Sequence, residues 1–240
     1  MTGVHLICLP IDMVRFHRWS AARSLALDEG RALHHLLGES FGKGVMQPFR
    51  LMVPPGAVTG SLYAYSPDDA ATLTETAAAC GLPDALAVCD PAGLASKQMP
   101  PTWTEGRRLA FDLRVRPVRR LRSAAGVFPK GAEVDAFLAE ALRKFPDGRP
   151  RDDAPDRATV YREWLVGRMA GAARIEEARI ARFERRTVSR GETRREGPDV
   201  TFHGELTILD AALFTERLVK GVGRHTAYGY GMILLRPARR

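Results

Sequence analysis

Residues 200–235 read VTFHGELTILDAALFTERLVKGVGRHTAYGYGMILL, and the order of patterns within them sets the architecture. Val200, Phe202, Leu206 and Ile208 fall on one side of an extended chain, and Thr201, His203, Glu205 and Thr207 on the other. That period of two is a strand with one buried face. Asp210 then stands where a helix N-cap belongs, and the helix it opens runs to Lys220, with Gly221 placed to end it. After a glycine-rich segment, Tyr230–Leu235 is apolar enough to be a closing strand. Upstream, Arg179–Arg190 pairs with Val200–Leu209 around 191–198, and Val160–Ala170 has helical spacing. Earlier still, Leu109, Phe111, Leu113 and Val115 alternate with Ala110, Asp112, Arg114 and Arg116 up to Pro117. Ala132–Phe145 is expected to be an amphipathic helix and Pro146–Pro155 a polar loop. The core of this half is thus βαββαβ, a ferredoxin-like order.

The first half carries the same order. Val4–Leu9 is expected to be a strand, Arg15–Ser24 a polar stretch, and Asp28 the cap of a helix to Phe41. Leu33, Leu36, Leu37 and Phe41 recur on that helix at helical spacing. Phe49–Val53 and Ser61–Tyr65 form a strand pair, Asp68–Cys80 a helix, and Ala85–Cys89 a fourth strand, with Pro91–Pro101 as the connection. The expected fold is α+β: two tandem ferredoxin-like domains, residues 1–106 and 107–240, the second holding the glycine loop 221–231.

The chain has 240 residues, a net charge of +8 and 45% hydrophobic residues, enough for a sizeable core. Its longest apolar runs, such as Leu6–Leu9 and Met232–Leu235, are far short of the roughly 20 residues that span a bilayer. No membrane association and no secretory signal are expected. Cys8, Cys80 and Cys89 are odd in number and widely spaced, which fits a reducing cytoplasm rather than a disulfide framework or zinc cage. The charge is uneven. Residues 1–106 carry seven Lys and Arg against ten Asp and Glu, and residues 107–240 carry 29 against 18. The second half is therefore at +11, and 31 of the 36 basic residues are arginine. A GC-rich genome explains arginine over lysine but not the crowding into one half. Arginine's planar fork pairs with phosphate oxygens, so that half is expected to meet a nucleic acid.

The segment Gly221-Val222-Gly223-Arg224-His225-Thr226-Ala227-Tyr228-Gly229-Tyr230-Gly231 holds four glycines in eleven residues. Glycine lets a backbone approach a phosphate, and Arg224 and His225 add donors. A tight helix-to-strand turn explains Gly221 alone. No Gly-Lys-Ser/Thr follows and no strand precedes, so neither a Walker loop nor a dinucleotide fingerprint is present.

A glycine-rich loop between the last helix and last strand of a tandem ferredoxin-like chain resembles the RAMP superfamily of CRISPR-associated RNA-binding proteins. Gly204-Glu205-Leu206-Thr207-Ile208, Met232-Ile233-Leu234-Leu235, Gly171–Glu177 and Phe111–Pro117 resemble its repeat-processing endoribonuclease of type I-E, or a related type IV variant. The likeness covers residues 109–118 and 158–240. It implies a cut without metal or other cofactor in precursor CRISPR RNA, 3′ of a stem-loop. Attack by the 2′-hydroxyl would leave a 2′,3′-cyclic phosphate, and the protein would remain on the hairpin as a subunit of an effector complex. The resemblance implies a histidine on the first helix at a position that falls near Gly30 here, and often a lysine where Thr226 stands.

Such a cut needs a base, an acid and cations for the phosphorane. On the first helix Arg31 and His35 share one face, which could border a cleft between the domains, while His34 flanks the apolar face. Arg31, His34 and His35 are candidates, with Arg23 and His17 from the preceding segment; an arginine would act by charge, not as a base. His34 can equally be a packed histidine and His35 a solvated one. His225 could face the same phosphate, whereas His203 and His5 are explained as surface and structural residues. RNA grip is expected from Arg119, Arg120 and Arg122 and from Arg185, Arg186, Arg190, Arg194 and Arg195 on the hairpin, together with Gly221, Gly223, Arg224, His225, Gly229 and Gly231. Trp103, Trp164, Tyr161 and Phe183 could stack on bases, though core packing accounts for each as well. No metal site and no DNA contact are expected. Two rivals stand beside the nuclease: a non-catalytic guide-RNA-binding subunit, and a nucleotide enzyme using the glycine loop.

Overall fold

The computed structural model describes residues 3–146, 154–190 and 193–238, with backbone alone at 188–190 and 193–195. The chain forms two compact units, residues 1–103 with 215–232, and residues 104–214 with 233–240. The first break lies close to the expected boundary at 106. The glycine loop, however, groups with the N-terminal unit rather than with the arginine-rich half.

In the first unit β1 (His5–Asp12) leads directly into α1 (Met13–Ala22) and, after a short turn, α2 (Glu29–Phe41). Then come β2 (Phe49–Met52), β3 (Thr59–Ser66), α3 (Ala70–Cys80), a short α4 (Pro83–Leu86) and β4 (Ala95–Gln98). The sheet order is β2-β3-β1-β4, antiparallel at every pairing, as a βαββαβ chain requires. Ile7, Leu9 and Ile11 of β1 and Leu62 and Ala64 of β3 form its buried face, covered by Leu33, Leu36, Leu37 and Phe41 of α2 and Leu73 and Ala77 of α3.

Three expectations change here. The stretch 15–24, read as polar, is mostly the helix α1. Asp12 caps it by accepting from the Arg15 N–H, and Met13, Phe16, Trp19 and Ser20 are its buried stripe. Ala85–Cys89 is not a strand: Pro83 sits at the start of a single helical turn, a position suited to its fixed φ. The fourth strand is Ala95–Gln98, four exposed residues held to β1 by backbone pairing.

The second unit contains β5 (Arg108–Val115), a small hairpin of β6 (Val118–Arg120) and β7 (Glu133–Asp135), α5 (Ala136–Lys144) and α6 (Arg157–Met169). A long hairpin of β8 (Ala173–Arg190) and β9 (Thr193–Ile208) follows, then the start of α7 (Ala211–Lys220), which passes into the first unit at Thr215, and β10 (Ile233–Pro237). Its sheet order is β10-β5-β9-β8, again antiparallel, so each half holds the ferredoxin-like order. Leu109, Phe111, Leu113 and Val115 are buried with Val200, Phe202, Leu206 and Ile208, while α6 contributes Tyr161, Trp164 and Leu165. The helix expected from Ala132 starts at Ala136, because Glu133–Asp135 pair with β6 instead. Most of the expected loop, 147–153, lies outside the described residues.

Candidate functional site

The reactive candidates gather on α2 of the first unit. Asp28 accepts from the Arg31 N–H at the helix start, so the first turn is fixed in rotation. Burial of Leu33, Leu36 and Leu37 then presents Gly30 and His34, four residues apart, to the glycine loop. The His34 ring lies 5.4 Å from the Tyr228 ring and 5.9 Å, edge-on, from the His35 ring. Burial, helped by the neighbouring His35 and Lys43 charges, pulls the His34 pKa below the ordinary histidine value of 6.5. His34 is therefore neutral near pH 7 and able to accept a proton. Arg31 is half-buried and His35 exposed on the adjacent face.

Arg23 is placed apart from these. Its guanidinium donates to Glu39 at 3.1 Å and Asp84 at 2.6 Å and lies 4.2 Å over the Trp19 ring. Glu39 is eight residues beyond Arg31, roughly 12 Å along the helix at 1.5 Å per residue. The ion pairs tie α1, α2 and α4 together and occupy the charge that a phosphorane would need. His17 is exposed on α1.

The loop has a definite shape. Val222 N–H donates to the Gly231 carbonyl at 2.8 Å, closing it at the base. A single 3-10 turn, Thr226–Tyr228, crosses its top between two left-handed residues, His225 (φ 65°) and Gly229 (φ 81°). Gly221, Gly223 and Gly231 also have positive φ. Gly221 has a second constraint, since a Cβ there would come 2.8 Å from the Thr226 methyl and 3.2 Å from Pro48. Thr226 also accepts from the Gln47 amide at 3.3 Å. Gly221 and Gly231 thus meet demands of the loop itself, whereas Arg224 is exposed and His225 half-exposed at its tip. Sequence periodicity did not single out Tyr228, whose ring neighbours those of both His34 and His225, the latter 6.4 Å away. The one available signal was Gly30. A Cβ there would run into the Tyr228 carbonyl and stand 3.2 Å from the Tyr228 Cβ.

The arginines of the second unit are a different kind of surface. Arg119, Arg120 and Arg122, with Arg143, Arg168 and Glu140, line a cavity of about 770 Å³. Arg119 and Arg143 pair with Glu140, Arg120 donates to the Gly131 carbonyl, and Arg122 is exposed. On the hairpin Arg185 pairs with Glu196, and Arg186 with Glu184 and Asp199. The side chains of Arg190, Arg194 and Arg195 lie outside the described residues. The pair exposed on both sides, Arg185 with Glu196, contributes about 0–1 kcal/mol, so a phosphate can displace that carboxylate cheaply, whereas Asp199 is buried. Of the stacking candidates, Trp103, Trp164 and Tyr161 are buried, and Trp164 donates to the Val118 carbonyl. Phe183 is part-exposed, with the Arg157 guanidinium 4.9 Å over its ring. His203 bonds Asp112 at 3.1 Å across β5 and β9. Among the described residues no three His, Cys, Asp or Glu are grouped to hold a metal ion, and no helix is long and apolar enough to cross a membrane.

Residues 5–237 match the model of a family described as CRISPR associated protein. No curated protein matches the sequence. Among solved structures, Thermus thermophilus Cse3 bound to an RNA representing a pre-cleavage complex is 19% identical, with a TM-score of 0.67 over 98% of this chain and 100% of that one. Escherichia coli Cas6e is 17% identical, with a TM-score of 0.60 over 98% and 100%. A chain of a CRISPR RNA-guided surveillance complex is 17% identical, with a TM-score of 0.53 over the same shares. Identities this low speak for a common fold.

Proposed function

Because the chain belongs to the family of CRISPR-associated proteins, we propose that it is a metal-independent endoribonuclease of the type I-E kind that processes precursor CRISPR RNA. It binds the repeat stem-loop in the cytoplasm, cuts 3′ of the hairpin and remains as a subunit of the effector ribonucleoprotein. The observation that carries this reading is His34, a half-buried histidine kept neutral and set against a glycine loop with an exposed tip. His34 takes the proton of the 2′-hydroxyl, and Arg31, with Arg224 of the loop, offers charge to the phosphorane. His35 stands beside His34 as the alternative base. The arginines around the cavity and on the hairpin of the second unit hold the RNA backbone. RNA-bound Cse3 and the surveillance-complex chain share this fold and support both the substrate and the assembly.

Gly30 favours one second reading, a non-catalytic subunit that caps guide RNA, since the family's histidine is missing there. Incubating the protein with its own repeat RNA in EDTA separates the two. Products ending in a 2′,3′-cyclic phosphate establish the nuclease; tight binding with intact RNA establishes the capping subunit and refutes the nuclease.

A further inference from the structure

The geometry points to Tyr228 as a second catalytic group, the acid that protonates the leaving 5′-oxygen. This rests on the endoribonuclease reading above. Cleavage by a 2′-hydroxyl needs two groups in opposite proton states, one empty and one loaded. His34 is the empty one. The charged or titratable groups near it are His35 and Arg31 on α2, Lys43 just beyond α2, and His225 in the loop. Arginine does not release its proton. A phenol holds its proton at neutral pH yet can donate it, and the ring of Tyr228 is in contact with that of His34.

Its placement is constrained from three sides. The Tyr228 N–H donates to the His225 carbonyl at 2.9 Å. The Tyr228 carbonyl and Cβ rest on Gly30, where no side chain fits. At the next residue, left-handed Gly229, a Cβ would come 3.4 Å from the Phe49 ring. A side chain held this firmly in a loop with an exposed tip is suited to reach a bound phosphate rather than to fill core. In the step itself, the 2′-oxygen forms a bond to phosphorus and gives its proton to a ring nitrogen of His34. The P–O5′ bond breaks, and its oxygen takes the Tyr228 proton. The imidazolium and phenolate left behind exchange one proton, directly or through solvent, which restores the starting pair.

Tyr228→Phe tests this, because the ring beside His34 and the backbone and Cβ that rest on Gly30 are retained. Single-turnover cleavage is measured at saturating repeat RNA in EDTA, with a normal scissile linkage and with sulfur in place of the bridging 5′-oxygen. A thiolate leaves without protonation. Loss of an acid typically costs about 10²–10⁴-fold. The expected result is a loss in that range on the oxygen substrate and near-parental cleavage of the sulfur substrate. His34→Ala should be slow on both. If Tyr228→Phe cuts the oxygen substrate within about threefold of the parent, or is equally impaired on the sulfur one, Tyr228 is not the acid. If the parent itself cuts neither substrate, the endoribonuclease reading fails, and this one with it.

Discussion

The α2–loop region of the first unit and the β8–β9 hairpin of the second spend their side chains in opposite ways. Around His34 the groups are few and packed ring against ring, and burial sets the proton state of His34. Along the hairpin the groups are many and exposed, and Arg182, Arg185 and Arg186 each pair with a glutamate that solvent already screens. Chemistry needs the first arrangement, since exclusion of water favours the neutral imidazole that can take a proton. Grip on a polyanion suits the second, where ions exchange at little cost. Substitutions in the first region should lower the rate at saturating RNA, and those in the second should weaken binding.

His34→Ala should break that division first if it is wrong: single-turnover rates should fall about 10²–10⁴-fold while the Kd for repeat RNA changes little. The parent's rate should also decline below pH 6.5, as His34 begins to load a proton. Stability follows the same sign, since the folded pKa is the lower one: this contribution is complete above 6.5 and is lost as pH falls through the folded value. A rate that rises as the pH falls below 6.5 would exclude His34 as the base. Next in size, replacing Arg119, Arg120 and Arg122 together with alanine should reduce the slope of log affinity against log salt by about two to three. Cleavage of saturating RNA should be unchanged; a fall in its rate would join grip to chemistry.

Gly30→Ala sharpens the comparison within the first region. Removing a helix glycine ordinarily gains up to about 1 kcal/mol, but forcing a methyl onto the Tyr228 carbonyl costs about 1–3 kcal/mol. Net destabilisation, read by urea melting, is expected, along with slower cleavage as the loop is pushed off α2. The smallest effect should be that of His225→Gly. Relief of the left-handed conformation and the added freedom of the unfolded chain nearly cancel, leaving stability within about 1 kcal/mol of the parent.

Much of the fold was legible because its strands bury one face. The alternation of 109–115 and 200–208 and the Asp28 and Asp210 caps lead directly to β5, β9, α2 and α7. β4 escaped because Ala95–Gln98 is exposed throughout and paired by backbone alone, so it leaves no hydrophobic pattern. Ala85–Cys89 misled because a short apolar run suits either state; the deciding residue was Pro83. The stripe of α1 was hidden by the arginines and histidine interleaved with Phe16 and Trp19. At the site, helix periodicity singled out Arg31, His34 and His35, but only the fold could say which of them meets the loop. Tyr228 lies 194 residues beyond His34 in sequence, and no local pattern joins the two.

The first unit is not contiguous: it needs residues 1–103 and also 215–232. A ribosome will have emitted nearly the entire polypeptide before His34 can acquire Tyr228. Strands β5, β8 and β9 are therefore translated before His34 and Tyr228 can meet, whereas β10, which completes their sheet, follows Tyr228.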